Sequence, residues 1–263
     1  MNNFLFLTTY LRLQEGIQLT GLIDLGFALI GYSRENKSYF FNLALTDKLI
    51  DEKELAIVKD NFRRLKRQST FYFENKEGLT SLKDFLEKKN YKKLFEDSWL
   101  FYEKTETDKT HFESARKVTD EEELEIFLET FSSSYQRNDP QNPYGTQDEH
   151  IPIMREIWRK YRLKNRLAYF VVYKGNKPVA VSALNNYGGL GYIYGVGSLK
   201  EVRGEGYGKA ATLYAVEYSK NYGNLEHFTG TEEGTFPNEF YKRIGFKTRL
   251  TAVGYSLKKR ETS

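Results

Sequence analysis

An apolar run, Tyr192 to Val196, breaks into a turn holding one arginine and three alternate glycines, and a helix-forming stretch follows at once. This segment, Val196-Gly197-Ser198-Leu199-Lys200-Glu201-Val202-Arg203-Gly204-Glu205-Gly206-Tyr207-Gly208-Lys209-Ala210, constrains the fold more than any other part of the chain. A strand is expected over Tyr192–Ser198 and a helix over Lys209–Lys220. Glycines let successive N–H groups turn toward an anion, because no Cβ blocks the approach. The helix start adds unpaired N–H groups and partial positive charge, about 0.3–1 kcal/mol per anionic contact. Together they read as a phosphate cradle. The spacing disfavours two familiar ligands. In Gly204-x-Gly206-x-Gly208 the third glycine comes one position early for a Rossmann turn, and Gly208-Lys209-Ala210 lacks the hydroxyl that a Walker loop gives to magnesium.

A second signature lies downstream, in Glu239-Phe240-Tyr241-Lys242-Arg243-Ile244-Gly245-Phe246-Lys247. Pro237 starts a short helix, Gly245 ends it in a left-handed cap, and Phe246 opens a strand running to Leu257.

The first segment resembles the acetyl-CoA loop of the Gcn5-related N-acetyltransferase (GNAT) superfamily, whose Arg/Gln-x-x-Gly-x-Gly/Ala pattern is met by Arg203, Gly206 and Gly208. The second is similar to that family's closing helix, with its tyrosine-x-x-x-glycine-phenylalanine ending. The resemblance implies an α+β (α/β/α) GNAT fold, with a mixed, mostly antiparallel central sheet and flanking helices. It also implies acetyl-CoA as cosubstrate, no metal, and transfer of the acetyl group to a primary amine of a small molecule. Backbone N–H groups of Arg203, Gly204, Glu205, Gly206, Tyr207, Gly208 and Lys209 would hold the pyrophosphate. Arg203 itself would brace the loop or touch phosphate. Val196, Gly197 and Ser198 would pair with the pantetheine arm as an added strand, the Val196 N–H polarising the acetyl carbonyl. Tyr241 is the implied general acid for the leaving thiolate; in a chain with 20 tyrosines, a packed core aromatic is the competing reading.

Two positions depart from the family. Tyr192 and Tyr194 stand on the strand where many relatives place a glutamate base, and Gly234 replaces the asparagine usual seven positions before the tyrosine. Glu232 and Glu233 are then the candidate bases, with a relay of waters as the alternative.

Composition bounds the rest. With 263 residues, 40% hydrophobic and 16% aromatic, the chain can fill one large or two small cores. A net charge of +4 from 40 basic and 36 acidic residues, mixed along the chain, implies no nucleic-acid partner. The absence of cysteine excludes disulfides, thiolate metal sites and a cysteine acyl-enzyme, and fits a cytoplasmic location. His111, His150 and His227 lack metal-ligand spacing. No signal peptide is expected, and the apolar stretch Ile17–Gly31 is too short for a membrane span and carries Asp24.

Sliding the chain against itself by about 155 positions aligns Phe85–Lys92 with Phe240–Lys247, Glu52–Lys66 with Tyr207–Asn221, and Thr70–Phe73 with Glu226–Thr229. Phe40–Leu45 meets the strand before the cradle. Asn90, the next-best residue for a left-handed cap, falls on Gly245. Two tandem GNAT-like halves are therefore expected: a degenerate one over residues 1–109 and the acetyltransferase domain over 110–263, with Glu103–Lys109 as the linker. The first half has no glycine in Lys48–Lys53, has Asp51 and Glu52 to repel phosphate, and has Leu86 in place of Tyr241.

Within the second half, Ala115–Val118 reads as a strand and Thr119–Glu122 as a capping box for a helix burying Leu124, Phe127, Leu128 and Phe131. A loop over Ser132–Gln147, a helix over Ile151–Leu163 and a hairpin about Gly175-Asn176 follow. Other readings of the chain are a non-catalytic acyl-CoA-binding or regulatory module, and an aminoacyl-tRNA-dependent transferase, which needs a basic surface that this composition does not advertise. A Rossmann protein is disfavoured by the glycine spacing.

Overall fold

A computed structural model describes residues 2–257. The chain runs through α1 (Asn3–Gln14), β1 (Gly21–Asp24), β2 (Leu29–Tyr32), β3 (Leu43–Leu45), α2 (Glu52–Arg64), β4 (Thr70–Glu74), α3 (Thr80–Lys88) and β5 (Tyr91–Tyr102). It continues through β6 (Ala115–Lys117), α4 (Glu121–Ser134), α5 (Ile151–Tyr161), β7 (Leu167–Lys174), β8 (Lys177–Tyr187) and β9 (Leu190–Ser198). The last elements are α6 (Tyr207–Asn221), β10 (Glu226–Glu232), α7 (Phe236–Ile244) and β11 (Phe246–Leu257). The fold is mixed α+β, with mostly antiparallel strand pairing and flanking helices. No helix among the described residues is long and apolar enough to cross a membrane.

Contacts divide the described chain into two compact units, one of residues 2–98 with 250–257 and one of residues 99–249. In the first, the strand order is β1-β2-β3-β4-β11. Here β1, β2 and β3 pair antiparallel, β3 runs parallel to β4, and β4 pairs antiparallel with Ala252–Ser256 of β11. The amphipathic α2 and α3 bury Leu55, Val58, Phe62, Leu82 and Leu86 against Phe71, Phe73 and Tyr255.

In the second unit the order is β10-β9-β8-β7-β6, antiparallel throughout except for the parallel pair β9–β10. Leu124, Phe127, Leu128 and Phe131 are all buried on α4. Its cap is Asp120, one residue later than expected, whose carboxylate accepts from Glu123 N–H at 2.9 Å; Glu123 Oε2 accepts from the Thr119 N–H at 2.6 Å rather than from the cap's own N–H, so the expected capping box is not closed. α4 continues to Ser134, so the loop expected from Ser132 begins at Tyr135. The hairpin β7–β8 turns at Gly175, φ +60°.

The units share an internal order of elements. β3, α2, β4, α3 and β5 recur as β9, α6, β10, α7 and β11, and both β5 and β11 are 12 residues long. Asn90 has φ +66° where Gly245 has φ +113°, so both short helices end in a left-handed residue. The first unit holds one helix, α1, ahead of its first strand, where the second holds β6, α4 and α5 ahead of β7.

Candidate functional site

The segment expected to be a cradle lies between β9 and α6, wholly within the second unit. The β8–β9 register passes from Ala183↔Tyr194 to Val181↔Gly197, so Gly195 and Val196 together oppose Ser182. This bulge takes two residues off the regular ladder, and Gly195 supports it at φ +57°. On its other edge β9 pairs with β10 only over Leu190–Tyr192 and Glu226–Phe228. Beyond those residues the two strands no longer pair. Val196, Gly197 and Ser198 sit in that stretch, all half-buried.

After β9 a short 3-10 turn, Lys200–Val202, leads to Arg203 in extended conformation. Gly204 and Gly206 then take φ of +86° and +92°, values that L side chains rarely adopt. Gly206 is the N-cap of α6, and no side chain caps that end. The first intrahelical donor is the Ala210 N–H, to Gly206 O at 2.9 Å, so the N–H groups of Tyr207, Gly208 and Lys209 have no acceptor inside the helix. These are the donors that a phosphate requires.

The side chains of the cradle are turned elsewhere. Arg203 makes a two-pronged pair with Asp139, Nη1 to Oδ1 at 2.8 Å and Nη2 to Oδ2 at 2.6 Å, with side chains only 19% and 5% exposed. The guanidinium holds the Asp139 carboxyl below its ordinary range. Arg203 thus braces the loop that follows α4. Glu205 pairs with Lys174 at 2.7 Å. Lys209 pairs with Asp108 at 2.5 Å, and that contact, with the Thr110 hydroxyl and N–H, pulls Asp108 well below the usual carboxylate range. The His111 ring stacks on Tyr207 at 4.5 Å, and its Nε2 lies 3.1 Å from Glu205 O.

The polar stretch expected as a linker is therefore pinned along α6. Besides the Asp108–Lys209 pair, Lys220 Nζ donates to Lys104 O, Thr105 O and the Thr107 hydroxyl, and Lys109 pairs with Glu217 at 3.1 Å.

Tyr241 lies on the inner face of α7, 6% exposed, within a cluster containing Leu213, Val216, Ile244 and Phe246. Burial raises its pKa; a hydrogen bond with the Thr229 side chain opposes this, and the nearby Tyr144 adds to it. Tyr135, at the end of α4, donates from its hydroxyl to Val196 O at 2.8 Å. Burial raises its pKa too, with Tyr241 and Tyr144 contributing. Three phenols from α4's end, the following loop and α7 thus stand within electrostatic reach of one another, one of them on the bulge of β9.

One helical turn before Tyr241, Asn238 is fully buried; its Nδ2 donates to Thr231 Oγ1 at 3.1 Å and its Oδ1 has no partner. The acids considered as base are both exposed: Glu232 ends β10, and Glu233 pairs with Lys242 at 3.3 Å. Among the described residues no cluster of three or more acidic or histidine side chains is set to hold a metal.

Sequence reasoning gave no individual role at the site to Asp108, His111, Tyr135, Asp139, Tyr144 or Asn238. All but Asn238 lie in segments without periodicity or at a helix end, and reach the site from 61 to 101 positions away in the contacts Tyr135–Val196, Arg203–Asp139, His111–Glu205 and Lys209–Asp108.

Residues 124–246 match the acetyltransferase (GNAT) family. Solved structures agree in fold. A GCN5-related N-acetyltransferase from Kribbella flavida aligns with TM-score 0.68 and 17% identity, over 97% of this chain and 96% of that one. One from Sphaerobacter thermophilus aligns with TM-score 0.60 and 15% identity, over 94% and 84%. A tandem GNAT protein from the clavulanic acid biosynthesis pathway aligns with TM-score 0.56 and 12% identity, over 87% and 77%. No curated protein matches by sequence.

Proposed function

We propose that the chain, whose residues 124–246 match the acetyltransferase (GNAT) family, moves an acetyl group from acetyl-CoA to a primary amine of a small molecule. The observation that carries this reading is the junction of β9 and α6. A strand end released from its neighbour runs into an uncapped helix N-terminus through two glycines of positive φ. An extended amide-bearing arm ending in a diphosphate fits that sequence of donors.

The N–H groups of Tyr207, Gly208 and Lys209 would take the pyrophosphate, and the free edge at Val196–Ser198 the pantetheine arm. In the transfer, the neutral amine attacks the thioester carbonyl, the C–N bond forms and the C–S bond breaks. The amine nitrogen loses a proton to solvent, and the sulfur gains one. Tyr241 is the group assigned to the sulfur. Its raised pKa keeps the phenol protonated at neutral pH, so a donor is always in place. Because a thiol ordinarily titrates near 8.5, the phenol acts first as a hydrogen-bond donor to the departing thiolate, and the proton passes only as charge develops there. The Val196 N–H would polarise the carbonyl.

Residues 1–109 are assigned as a degenerate half and 110–263 as the acetyltransferase half, supported by the shared element order. A cytoplasmic enzyme is the setting that goes with this reading.

Acetyl-CoA at a hundredfold over its Kd should stabilise the protein by about 2.7 kcal/mol, read as a rise in Tm. Tyr241→Phe should keep that rise and slow thiol release about a hundredfold. No rise at millimolar acetyl-CoA sinks the reading. A non-catalytic acyl-CoA module is the second reading, favoured by the exposure of Glu232 and the pairing of Glu233 with Lys242. It is separated by thiol release across a panel of amines: binding without release selects it.

A further inference from the structure

Residues 157–200 hold eight lysines and arginines and no aspartate or glutamate, a run of one sign in a chain whose charges are otherwise mixed. Five of those cations fall in Arg159–Arg166, at the end of α5 and in the turn that follows. The same end of the second unit carries the two most exposed large apolar side chains among the described residues, Leu163 at 82% and Leu225 at 87%. We propose that this end is a docking face for an anionic phospholipid bilayer, with its cations at the headgroups and its two leucines entering the acyl boundary.

Three loops build the face, and one asparagine bridge ties them together. Asn186 Nδ2 donates to Asn165 O at 3.1 Å, and Asn224 Nδ2 donates to Asn186 Oδ1 at 2.6 Å. The Asn186 N–H donates to Arg166 O at 2.9 Å, and the Leu225 N–H to Gly189 O at 2.8 Å. Asn186 and Asn224 are buried, so Leu163 and Leu225, which flank the bridge, stand on backbone that is held in place. The charge is not spent inside the protein. Arg159 is taken by Glu121, but among the described residues Lys160, Arg162 and Lys164 have no carboxylate partner. They lie over rings instead: Lys160 and Lys164 are 5.1 and 5.7 Å from the Tyr161 ring centre, and Arg162 is 4.5 Å from that of Trp158. Arg166 lies 5.0 Å from the Tyr187 ring centre. The nearest acid before the run is Glu156, exposed on α5. This mixture selects the occupant. Leucine offers no π-face for a base to stack on, and Tyr161 and Tyr187 already carry cations on their faces, which disfavours single-stranded nucleic acid. Aliphatic tips beside lysine, arginine and tyrosine suit the headgroup boundary of a bilayer. The face lies beyond the C-terminal end of the 15-residue α6, about 22 Å along the helix from the cradle, so a docked protein keeps the cradle clear of lipid.

The test is co-sedimentation of the full chain with vesicles of phosphatidylcholine, either alone or mixed with phosphatidylglycerol. Wild type should pellet with the mixed vesicles and stay in solution with the neutral ones, and added salt should release it. Lys160→Ser with Lys164→Ser should weaken binding about twenty-five-fold, or about fivefold per cation. Leu163→Ser with Leu225→Ser should weaken it about a hundredfold, or about tenfold per leucine. All four side chains are exposed, so an unchanged Tm shows that each double variant is folded. Leu49→Ser, exposed on the first unit ahead of α2, should bind as wild type does. No binding to either vesicle, or equal binding to both, overturns the assignment. So does either double variant that binds as well as wild type; a loss confined to the lysine pair would mean charge attraction without insertion. Tighter binding to a single-stranded oligonucleotide than to the mixed vesicles would also overturn it, and would make the face one for nucleic acid.

Discussion

The N-termini of α2 and α6 hold matching places in the element order of their units, and their unpaired N–H groups are treated in opposite ways. At α2 the Asp51 carboxylate accepts from Glu54 N–H at 2.8 Å, and Glu54 Oε2 accepts from Asp51 N–H at 3.0 Å. The helix supplies its own anion. At α6 the cap is Gly206, which has no side chain to offer. A glycine cap forgoes only a few tenths of a kcal/mol against a side-chain cap, and what is left in exchange is a set of donors that a ligand can take. The same contrast recurs one helix later, where Leu86 is sealed in an apolar core while Tyr241 keeps a hydroxyl in contact with Thr229. A shared backbone plan is therefore compatible with one binding half and one half that serves only to fold.

The harshest way to break this contrast is to close the α6 end. Gly206→Val places a β-branched residue at φ +92°, a strain of about 1–3 kcal/mol, and pushes the loop away from its donor geometry. Losing two charge-assisted contacts of about 2 kcal/mol each should weaken acetyl-CoA roughly a thousandfold. The acetyl-CoA-induced rise in Tm should vanish. If the rise survives, the open helix end is not the seat of the diphosphate.

The halves should also separate on acidification. The first unit contains no histidine, whereas His227 is buried on β10 with Ser219 Oγ 2.8 Å from its Nδ1. Asn224 donates to that same Ser219 oxygen, so the hydroxyl proton is free to go to a neutral imidazole. Burial, with Lys220 nearby, lowers the His227 pKa from 6.5 to about 4. A depressed histidine pKa means that the unfolded chain binds the proton first. Its contribution is complete above pH 6.5 and disappears as pH falls toward 4, about 3 kcal/mol in all. Denaturant unfolding between pH 6.5 and 4.5 should show wild type losing most of that amount and His227→Gln losing much less. Equal losses would place the acid sensitivity elsewhere.

Legibility in the sequence followed physical range. The glycine turn before α6 and the α7 helix could be read because glycines, a proline and apolar spacing act within a few residues of one another; α6 begins at Tyr207 rather than Lys209, and β11 runs to Leu257 as expected. Asn90 as a left-handed cap was legible for the same reason. The Arg203–Asp139 and Lys209–Asp108 pairs were not, because each joins a glycine-rich turn to an aperiodic loop 64 or 101 positions away. α1 and the hairpin β1–β2 were also missed: these strands have four residues each, too short for alternation to register. The contact boundary at Ser98, with residues 250–257 counted in the first unit, has no local signal, since it falls inside two long continuous strands.

The smallest effect is expected at the closed helix, and it is the control that gives the contrast its meaning. Asp51→Ala removes the cap of α2 and leaves the Glu54 N–H without its acceptor, at a cost of about 1 kcal/mol in unfolding free energy. Nothing else should change. The N–H groups so released lie in a turn without glycine, flanked by Glu52 and Glu54, so an incoming phosphate would meet two carboxylates in the first turn rather than an open backbone. Acetyl-CoA affinity should accordingly equal that of wild type, with only the baseline Tm lowered. A fall in affinity would mean that the first half takes part in holding the cosubstrate. A second binding event in calorimetry would mean that Asp51 had been the only thing keeping α2 from doing what α6 does.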